Sequence, residues 1–406
     1  MGVETWDAGP VNIWEPTTHR KVHLVGWNQE VRSSNKAVTF LDIWDGAGND
    51  DISVGAVNTT IWQNSGNDRY FIESGINATI HSGVGFKNIG TNFLLGKIQV
   101  IEEAAWDHPV ANTNRHIDVK ANYAHIDSGF GDDTIEVWGT FGAKVADRGG
   151  NNTIKVRGIA KVEVYSGEGN DYIVVGGFYA VVADSGGDNV VDATGLAAEV
   201  YTGWGNDMIW VGGAYAKVES GVGNDMISID GIYTRVNNWM FGGNKHVIAR
   251  AAFADIWTGS GNDTIEIWGV GAHVETGWGD DTIHIGAVGA KINAGEGNNT
   301  INFNGVGAEV WVGDGNDTIN INAAGIKIDT HGGNDVVNIG AFVADVYTGD
   351  GDDRVYSLSV GGQKIDLANG NDYLEAYGGV NVIYGGYWGD KDITVGGGLN
   401  VVQVGH

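Results

Sequence analysis

Gly259-Ser-Gly-Asn-Asp263 opens an 18-residue unit that recurs along most of the chain. A branched apolar residue, Ile265, follows two positions later, and the same phrase with the same kind of marker begins at Gly221 and Gly313. From Ile265 the marker repeats at a constant step of 18 residues, at Ile283, Ile301, Ile319, Val337 and Val355. A fixed period this short is typical of the coils of a solenoid, in which each repeat contacts only its neighbours.

The rest of the unit predicts two short strands and a second turn. In residues 264–268, Ile265 and Ile267 fall on one side, as the period of two in a strand requires. Gly269-Val-Gly271 contains no carboxylate and predicts a second tight turn, because glycine adopts backbone conformations that other residues avoid. Residues 272–276 alternate again, and Gly277 opens the next unit.

We therefore expect an all-β fold, a right-handed parallel β-roll or β-helix solenoid with two strands and about 18 residues per coil. The right hand follows from the strong preference of crossovers between parallel strands. The carboxylate turns would lie along one edge of the solenoid. A left-handed hexapeptide helix also uses about 18 residues per coil, but it needs three equivalent strands, and here Gly-x-Gly-Asn-Asp replaces one of them.

The repeat also predicts how the chain is divided. Residues 1–40 lack the phrase and are expected to form a degenerate N-terminal coil or cap, which would shield the open end of the stack. Residues 41–395 are expected to form the solenoid, with an irregular insertion near 86–115, where the marker jumps from Ile89 to Ile117. Residues 396–406 would be a partial terminal coil, which suggests a segment of a longer chain, and the first residues lack the pattern of a secretory signal.

Composition narrows the class of partner. The formal net charge is −28, so nucleic acid and anionic membrane surfaces are poor partners for the bare chain. Apolar residues make up 42% of the chain and are placed periodically, so the acidity belongs to a folded body and not to a disordered tail. There is no cysteine, so an extracellular form would need another source of stability, of which bound metal is a common one.

Each phrase places an aspartate at the same point of its coil. These aspartates are Asp50, Asp68, Asp133, Asp171, Asp207, Asp225, Asp263, Asp281, Asp317, Asp335, Asp353 and Asp372. Stacked coils would hold neighbouring carboxylates about 5 Å apart, where two bare charges repel by about 3 kcal/mol at an effective dielectric of 20. Carboxylate and carbonyl oxygens suit Ca²⁺ better than Mg²⁺ or Zn²⁺. The sequence therefore predicts about a dozen Ca²⁺ ions along this edge, with these aspartates as metal ligands.

An alternative role for Asn-Asp is to form hydrogen-bonded turns without any metal. Several coils lack the aspartate altogether, which interrupts the predicted row. Their residues at this position are Lys87, Arg115, Asn152, Asn189, Lys245, Asn299 and Lys391.

The phrase resembles the nonapeptide Gly-Gly-x-Gly-x-Asp-x-apolar-x of repeats-in-toxin (RTX) proteins. The closer resemblance is to the 18-residue C-terminal repeat of multifunctional autoprocessing RTX (MARTX) toxins, Gly-x-x-Asn-x-(Val/Ile)-x-x-Gly-Asp-Gly-x-Asp. The matching stretch here is Gly305-Val-Gly-Ala-Glu-Val-Trp-Val-Gly-Asp-Gly-Asn-Asp317, with Ala308 at the Asn position. The resemblance implies a secreted virulence protein, exported by type I secretion, whose repeats fold with calcium outside the bacterium. It further implies that the repeats engage a host membrane, so that effector domains can be delivered.

The expected function is thus a calcium-binding repeat module of a large secreted toxin, acting at the host cell surface. The alternative is a calcium-stiffened adhesin or extension segment that binds surface glycans or proteins. Trp138, Trp210 and Trp268 are predicted to face outward from first strands, and Trp204 and Trp278 to lie on the turns, where they would contact sugar, membrane or a laterally associated copy. No catalytic motif is present and the acidic residues repeat instead of forming one singular pair, so an enzyme is not expected.

Overall fold

The structure is a computed structural model of the 406-residue chain. It describes residues 3–6, 11–12, 20–24, 30–33, 40–44, 49–55, 58–62, 67–74, 77–82, 87–91, 97–102, 114–238, 240 and 242–405. The chain divides into two compact units, Met1–Trp204 and Gly205–His406. No α-helix occurs in the described residues, so no helix there is long and apolar enough to cross a membrane.

Parallel strands make up the first unit, and all of them except two, with 15 and 16 residues, are short. Those of the N-terminal half are β1 (Val3–Trp6), β2 (Val11–Asn12), β3 (Arg20–Leu24), β4 (Glu30–Ser33), β5 (Phe40–Trp44), β6 (Asp51–Gly55), β7 (Asn58–Trp62), β8 (Asp68–Ser74), β9 (Asn77–Ser82), β10 (Lys87–Thr91) and β11 (Lys97–Glu102). They are followed by β12 (His116–Phe130), β13 (Thr134–Gly149), β14 (Thr153–Gly158), β15 (Lys161–Glu168), β16 (Tyr172–Gly176), β17 (Tyr179–Gly186), β18 (Val190–Thr194) and β19 (Ala197–Tyr201). From β14 to β19 each coil has two separate strands, as the sequence predicted.

The second unit has one longer strand per coil. These strands are β20 (Met208–Glu219), β21 (Asp225–Asn237), β22 (Lys245–Trp257), β23 (Thr264–Glu275), β24 (Thr282–Asn293), β25 (Thr300–Trp311), β26 (Thr318–Asp329), β27 (Val336–Tyr347), β28 (Arg354–Asp366), β29 (Asp372–Tyr384) and β30 (Lys391–Gln403). The two predicted strands merge because backbone pairing continues through the second turn: Gly269 pairs with Ala287 and Gly271 with Gly289. Small residues at this corner let successive coils stack without a break in the ladder.

Strand register confirms the repeat. Ile265 pairs with Ile283, Ile283 with Ile301, and Ile301 with Ile319, all in parallel ladders. The pairing then continues through Val337 to Val355 at the predicted step of 18 residues. The fold is therefore an all-β parallel solenoid of 18-residue coils, as expected, while its hand stays a prediction.

A thin apolar core runs between the strands of each coil. In β23, Ile265, Ile267, Ala272 and Val274 are buried, and the intervening side chains point outward. Each coil is too thin to bury its apolar face alone, so the stack is held together by the neighbouring coils.

The long coil of the insertion stays in register. Ile89 pairs with Ile117 across the predicted jump of the marker, and β11 pairs with both β9 and β12. Residues 103–113, which follow β11 in the sequence, lie outside the described part. In the predicted N-terminal cap, β1 pairs with β3 and β2 with β4, both in parallel. The boundaries at residues 40, 41, 395 and 396 stay predictions.

Candidate metal-binding turns

The phrase Gly-x-Gly-Asn-Asp forms one corner of each coil, which we call the acidic turn. Its second glycine adopts the left-handed backbone region, with φ of 134° at Gly261 and 141° at Gly279. The residue between the two glycines forms a single parallel bridge to its neighbours, as between Ser260 and Trp278. Stacked acidic turns are thus a third, very short ladder beside the two strands of the coil.

All twelve predicted aspartates point into this corner. None of them is more than 3% exposed, so they form a buried column and not a surface row. We call the position that they share the inner column. A buried carboxylate needs partners within the protein, because its hydration has been lost.

In ten of these inner carboxylates, Oδ1 accepts a hydrogen bond from a backbone N–H of a neighbouring coil. The N–H of Asp263 donates to Oδ1 of Asp281 at 2.8 Å, one coil further on. The same bond joins Asp317 to Asp335 at 2.8 Å and Asp335 to Asp353 at 2.9 Å. In the first unit, Asp50 donates to Asp68 at 2.9 Å and Arg115 donates to Asp133 at 2.7 Å.

The residues just before the inner position form a second column, which the sequence reading missed. Its inter-coil hydrogen bonds run in the opposite direction to those of the inner column. The N–H of Asp280 donates to Oδ1 of Asn262 at 3.0 Å, so here the later coil donates to the earlier one. The same bond joins Asn334 to Asn316 at 2.8 Å. This outer column is exposed and explains why Asn precedes Asp: a short side-chain acceptor is needed at both places. The predicted hydrogen-bonding role of Asn-Asp is therefore present in the structure.

In five coils of the second unit, the second oxygen of the inner carboxylate has no hydrogen-bond partner. Among the described residues, Oδ2 has neither solvent contact nor a hydrogen-bond partner in Asp263, Asp281, Asp317, Asp335 and Asp353. A threonine hydroxyl lies in the same coil in several cases, but it donates elsewhere: Thr276 to the carbonyl of Ala294 at 2.9 Å, and Thr330 to that of Thr348 at 2.7 Å. Orphaned buried polar atoms are uncommon in folded proteins and require an explanation.

Burial shifts the protonation equilibrium of these carboxyl groups. Loss of hydration raises the pKa of Asp281, Asp317 and Asp353 to about 7, and that of Asp263 to about 6, because burial disfavours the charged form. A nearby threonine hydroxyl, beside Asp281, Asp263 and Asp353, and the backbone N–H donated to each carboxylate lower the pKa but do not overcome the effect of burial. Each turn therefore favours a positive partner, either a proton or a cation.

Lysine supplies that positive partner in two coils. Nζ of Lys245 lies 2.7 Å from Oδ2 of Asp225 in the preceding coil, and it donates to the carbonyls of Gly221 at 2.9 Å and Gly223 at 2.6 Å. Both charged side chains are fully buried. Lys391 repeats the arrangement with Oδ2 of Asp372 at 2.7 Å and the carbonyl of Gly370 at 2.5 Å.

In other coils an asparagine side chain donates hydrogen bonds to the turn, so no positive charge is needed there. The amide of Asn299 donates to the carbonyls of Gly295 at 3.2 Å and Gly297 at 3.0 Å in its own turn. Asn152 and Asn189 likewise donate to the carbonyl of the second glycine of their turns, and each also donates at 2.8 Å to an aspartate five residues earlier. The side chain of an aspartate at this position has no N–H to donate, so its turn presents carbonyl and carboxylate oxygens together.

The acidic turn is thus a set of acceptors that can hold a cation. The ammonium of Lys245 contacts one carboxylate oxygen and the carbonyls of two glycines, all hard oxygen ligands of the kind Ca²⁺ prefers. In the part of the chain that the structure describes, no three acidic or histidine side chains converge on one point. A cation here would therefore be held by one carboxylate and by backbone carbonyls.

The predicted tryptophans are exposed. Trp138, Trp210 and Trp268 are between 41% and 49% exposed on the outer face of first strands. Trp204 and Trp278 are 56% and 72% exposed on acidic turns. Two of these rings are capped by arginine, with Arg157 over Trp138 at 5.1 Å and Arg250 over Trp268 at 5.8 Å.

Comparison with known proteins adds no relative. No protein-family model matches the chain, and no curated protein or solved structure is significantly similar to it. The structure is a parallel solenoid of 18-residue coils, which is consistent with an RTX-like repeat.

Proposed function

We propose that this chain is a calcium-binding repeat module that folds fully only where calcium is abundant. The supporting observation is the buried Lys245 ammonium, which lies against Asp225 Oδ2 and two glycine carbonyls. The lysine ammonium is a cation attached to the chain. We infer that the same pocket binds a free cation in coils whose neighbouring coil carries no lysine at this position. The equivalent atoms in the next regular coil are Oδ2 of Asp263 and the carbonyls of Gly259 and Gly261.

The number of Ca²⁺ ions that the chain can bind depends on how many acidic turns already contact a lysine or arginine side chain. Lys245 and Lys391 serve Asp225 and Asp372, and a nitrogen of the Arg115 guanidinium lies 3.8 Å from Oδ2 of Asp133. Five turns have an orphaned Oδ2, those of Asp263, Asp281, Asp317, Asp335 and Asp353. We therefore propose about five bound Ca²⁺ ions in these turns instead of the dozen that a count of aspartates suggests.

Calcium is the best candidate because of the ligands. One carboxylate oxygen, several carbonyls and water suit the flexible coordination of Ca²⁺, whereas Mg²⁺ demands a stricter octahedron and releases its waters reluctantly. Zn²⁺ is unsuited, since the chain has no cysteine and the turns present no histidine cluster.

This chemistry supports a role outside the cell. Metal binding to a site that exists only in the folded state contributes to the free energy of folding. A chain of this kind would stay loosely folded where free calcium is scarce and would close where calcium is plentiful. We propose on this basis, together with the resemblance to RTX and MARTX repeats, a module of a secreted bacterial toxin that passes through type I secretion and folds near the host membrane.

An adhesin or extension segment is the second candidate. It is favoured by the exposed aromatic rings on the acidic turns, of which Trp278 and Trp388 are 72% and 75% exposed. Aromatic side chains in such positions are common at surfaces that contact sugars, proteins or a membrane interface. Pull-down with calcium and lipid vesicles, with and without anionic lipid, separates the two candidates, because only membrane delivery requires vesicle binding.

The test of the main proposal is a count of bound calcium, made together with folding. We expect at least five Ca²⁺ ions per chain by elemental analysis after dialysis. We also expect a loss of β-sheet circular dichroism in chelator that Ca²⁺ restores and Mg²⁺ restores poorly. An unchanged spectrum in chelator, or fewer than one bound ion per chain, would overturn the proposal.

A further inference from the structure

A cleft of about 870 Å³ lies on the outer face of the second unit, away from the acidic turns. It crosses the first halves of β23 to β29, where outward side chains of successive coils stand in two columns. One column contains Asn302, Asn320 and Asn338, and the other contains Asn304 and Asn322. None of these residues takes part in the cation sites.

The floor of the cleft is a chain of side-chain amides. Nδ2 of Asn320 donates to Oδ1 of Asn302 at 2.9 Å, and Nδ2 of Asn338 donates to Oδ1 of Asn320 at 2.8 Å. Each amide has two N–H groups and an oxygen with two lone pairs, so one inter-coil bond leaves every amide with both a donor and an acceptor to offer. The coils repeat these groups at a spacing of about 4.8 Å.

Aromatic and apolar side chains bound the cleft at its two ends. Trp268 stands at one end and is 47% exposed, and Leu358 and Tyr356, 59% and 39% exposed, stand at the other. The indole of Trp268 lies against Gly286, where an added Cβ would come within 3.3 Å of Cδ1 of the ring. Five coil steps separate Trp268 from Leu358, so the trough between them is about 24 Å long.

The cleft is almost free of charge in a chain that carries −28. Apart from the tyrosines, the titratable side chains that line it are His284 and Glu375, one towards each end. An uncharged, elongated ligand with alternating hydroxyl groups and apolar faces matches this surface, because amides bind hydroxyls and aromatic rings cover apolar faces. A nucleotide or an acidic polymer does not match it, since no cation lines the floor.

We propose that this cleft binds a linear, uncharged oligosaccharide that lies parallel to the stacking direction of the coils. The periodic amides would contact hydroxyl groups of successive sugars, and Trp268 would cover the face of a terminal one. The proposal goes beyond the cation sites and does not rest on them, because the cleft residues belong to a different face of the coil.

The experiment is calorimetric titration of the folded chain with cellohexaose, maltohexaose and N-acetylchitohexaose, with hexagalacturonate as the acidic comparison. Folding is verified beforehand by circular dichroism in the same buffer, so a failure of the calcium proposal cannot be mistaken for a failure of this one. We expect binding of at least one neutral hexasaccharide and weaker binding of the acidic one. Asn320→Val and Trp268→Ala should each weaken binding by about tenfold, the effect of losing one well-formed contact.

Phe342→Ala is the matched control, because Phe342 is 60% exposed on a second turn and does not line the cleft. It should bind the sugar as the parent chain does. The proposal is overturned if the folded chain binds no neutral hexasaccharide at millimolar concentration, if it prefers the acidic one, or if Asn320→Val and Trp268→Ala both leave the affinity unchanged.

Discussion

Nζ of Lys245 and Oδ2 of Asp225 lie 2.7 Å apart in the interior, and neither side chain has solvent contact. A buried ion pair of this kind is weak evidence for added stability, because both charges have lost their hydration. The ion pair shows instead that an acidic turn can hold a positive charge.

Replacing the tethered cation should convert its turn into a calcium site. Lys245→Met keeps an unbranched apolar side chain but removes the ammonium, which leaves Asp225 as an unpaired buried charge. In metal-free protein we expect a loss of about 3–5 kcal/mol in the free energy of unfolding. Calcium should recover most of that loss and add one bound ion per chain, as measured by thermal unfolding and elemental analysis.

Lys291→Met is the control for this change. Lys291 is exposed and lies 3.8 Å from Glu309, so its loss should alter stability by less than about 1 kcal/mol with or without calcium. If Lys245→Met is equally unstable in both conditions, the pocket does not accept a free cation.

Asp281→Asn and Asp281→Ala should differ in sign when metal is absent. Asparagine keeps the acceptor for the N–H of Asp263, which is 2.8 Å away, and it can donate to its own turn as Asn299 does to Gly297 at 3.0 Å. We expect metal-free Asp281→Asn to be more stable than the parent by about 1 kcal/mol, because a satisfied amide replaces an orphaned carboxylate. Asp281→Ala should be less stable, because the N–H of Asp263 loses its partner.

With calcium present, both variants should bind one ion fewer than the parent and unfold at a lower temperature. The comparison is made by thermal unfolding in chelator and in calcium, with the ion count as a second measurement. An unchanged ion count in Asp281→Asn would show that the carboxylate is not a ligand.

The metal-free chain should become less stable as pH rises from about 4 to about 7. Burial raises the pKa of Asp281, Asp317 and Asp353 to about 7 from an ordinary value of 3.8. The folded state therefore holds protons that the unfolded state has already released, and stability falls as those protons are lost. Calcium binding needs the deprotonated carboxylate, so the calcium-loaded chain should not show this decline.

Thermal unfolding across this pH range, with and without calcium, measures both trends. A metal-free chain that gains stability between about pH 4 and about pH 7 would contradict the buried carboxylates described here.

Gly279→Ala should be far more damaging than Gly289→Ala. Gly279 has φ of 141°, and an added Cβ would come within 2.0 Å of the carbonyl oxygen of Gly261 in the preceding coil. At Gly289, on the second turn, nothing lies within 4 Å of such an atom. We expect a loss of at least about 2 kcal/mol for the first change and less than about 1 kcal/mol for the second, measured by chemical denaturation in calcium. Equal effects would mean that the acidic turns are not stacked as closely as described.

Local periodicity was enough to predict the coil. The 18-residue step from Ile265 to Val355, the two alternating strands and the second turn at residues 269–271 can all be read from the order of apolar residues and glycines. They are confirmed because a strand of period two and a tight glycine turn depend on neighbours in the sequence. The jump from Ile89 to Ile117 was also predicted, and the register shows that the long coil keeps its place in the stack.

The positions of the aspartates were equally clear from the sequence, but their surroundings were not. Sequence reasoning treated the coils of Lys245 and Lys391 as coils without a metal ligand. In the structure, the ammonium group of each lysine contacts the aspartate of the preceding coil. The outer column of Asn262 and its equivalents was also missed, because its hydrogen bonds join residues of different coils. The signal that could have found it is the regular Asn or Asp just before the inner aspartate.

The sequence by itself determined the period of this protein, the type of its turns and the column in which its carboxylates fall, because these depend on residues within one coil. Only the tertiary structure decided that the carboxylates are buried, that one oxygen of most of them accepts from the backbone of another coil, and that lysine already contacts two of them. The physical reason is that the partners of an inner aspartate lie one coil away, about 18 residues along the chain but about 5 Å in space. A pattern within one repeat does not contain the contacts between repeats.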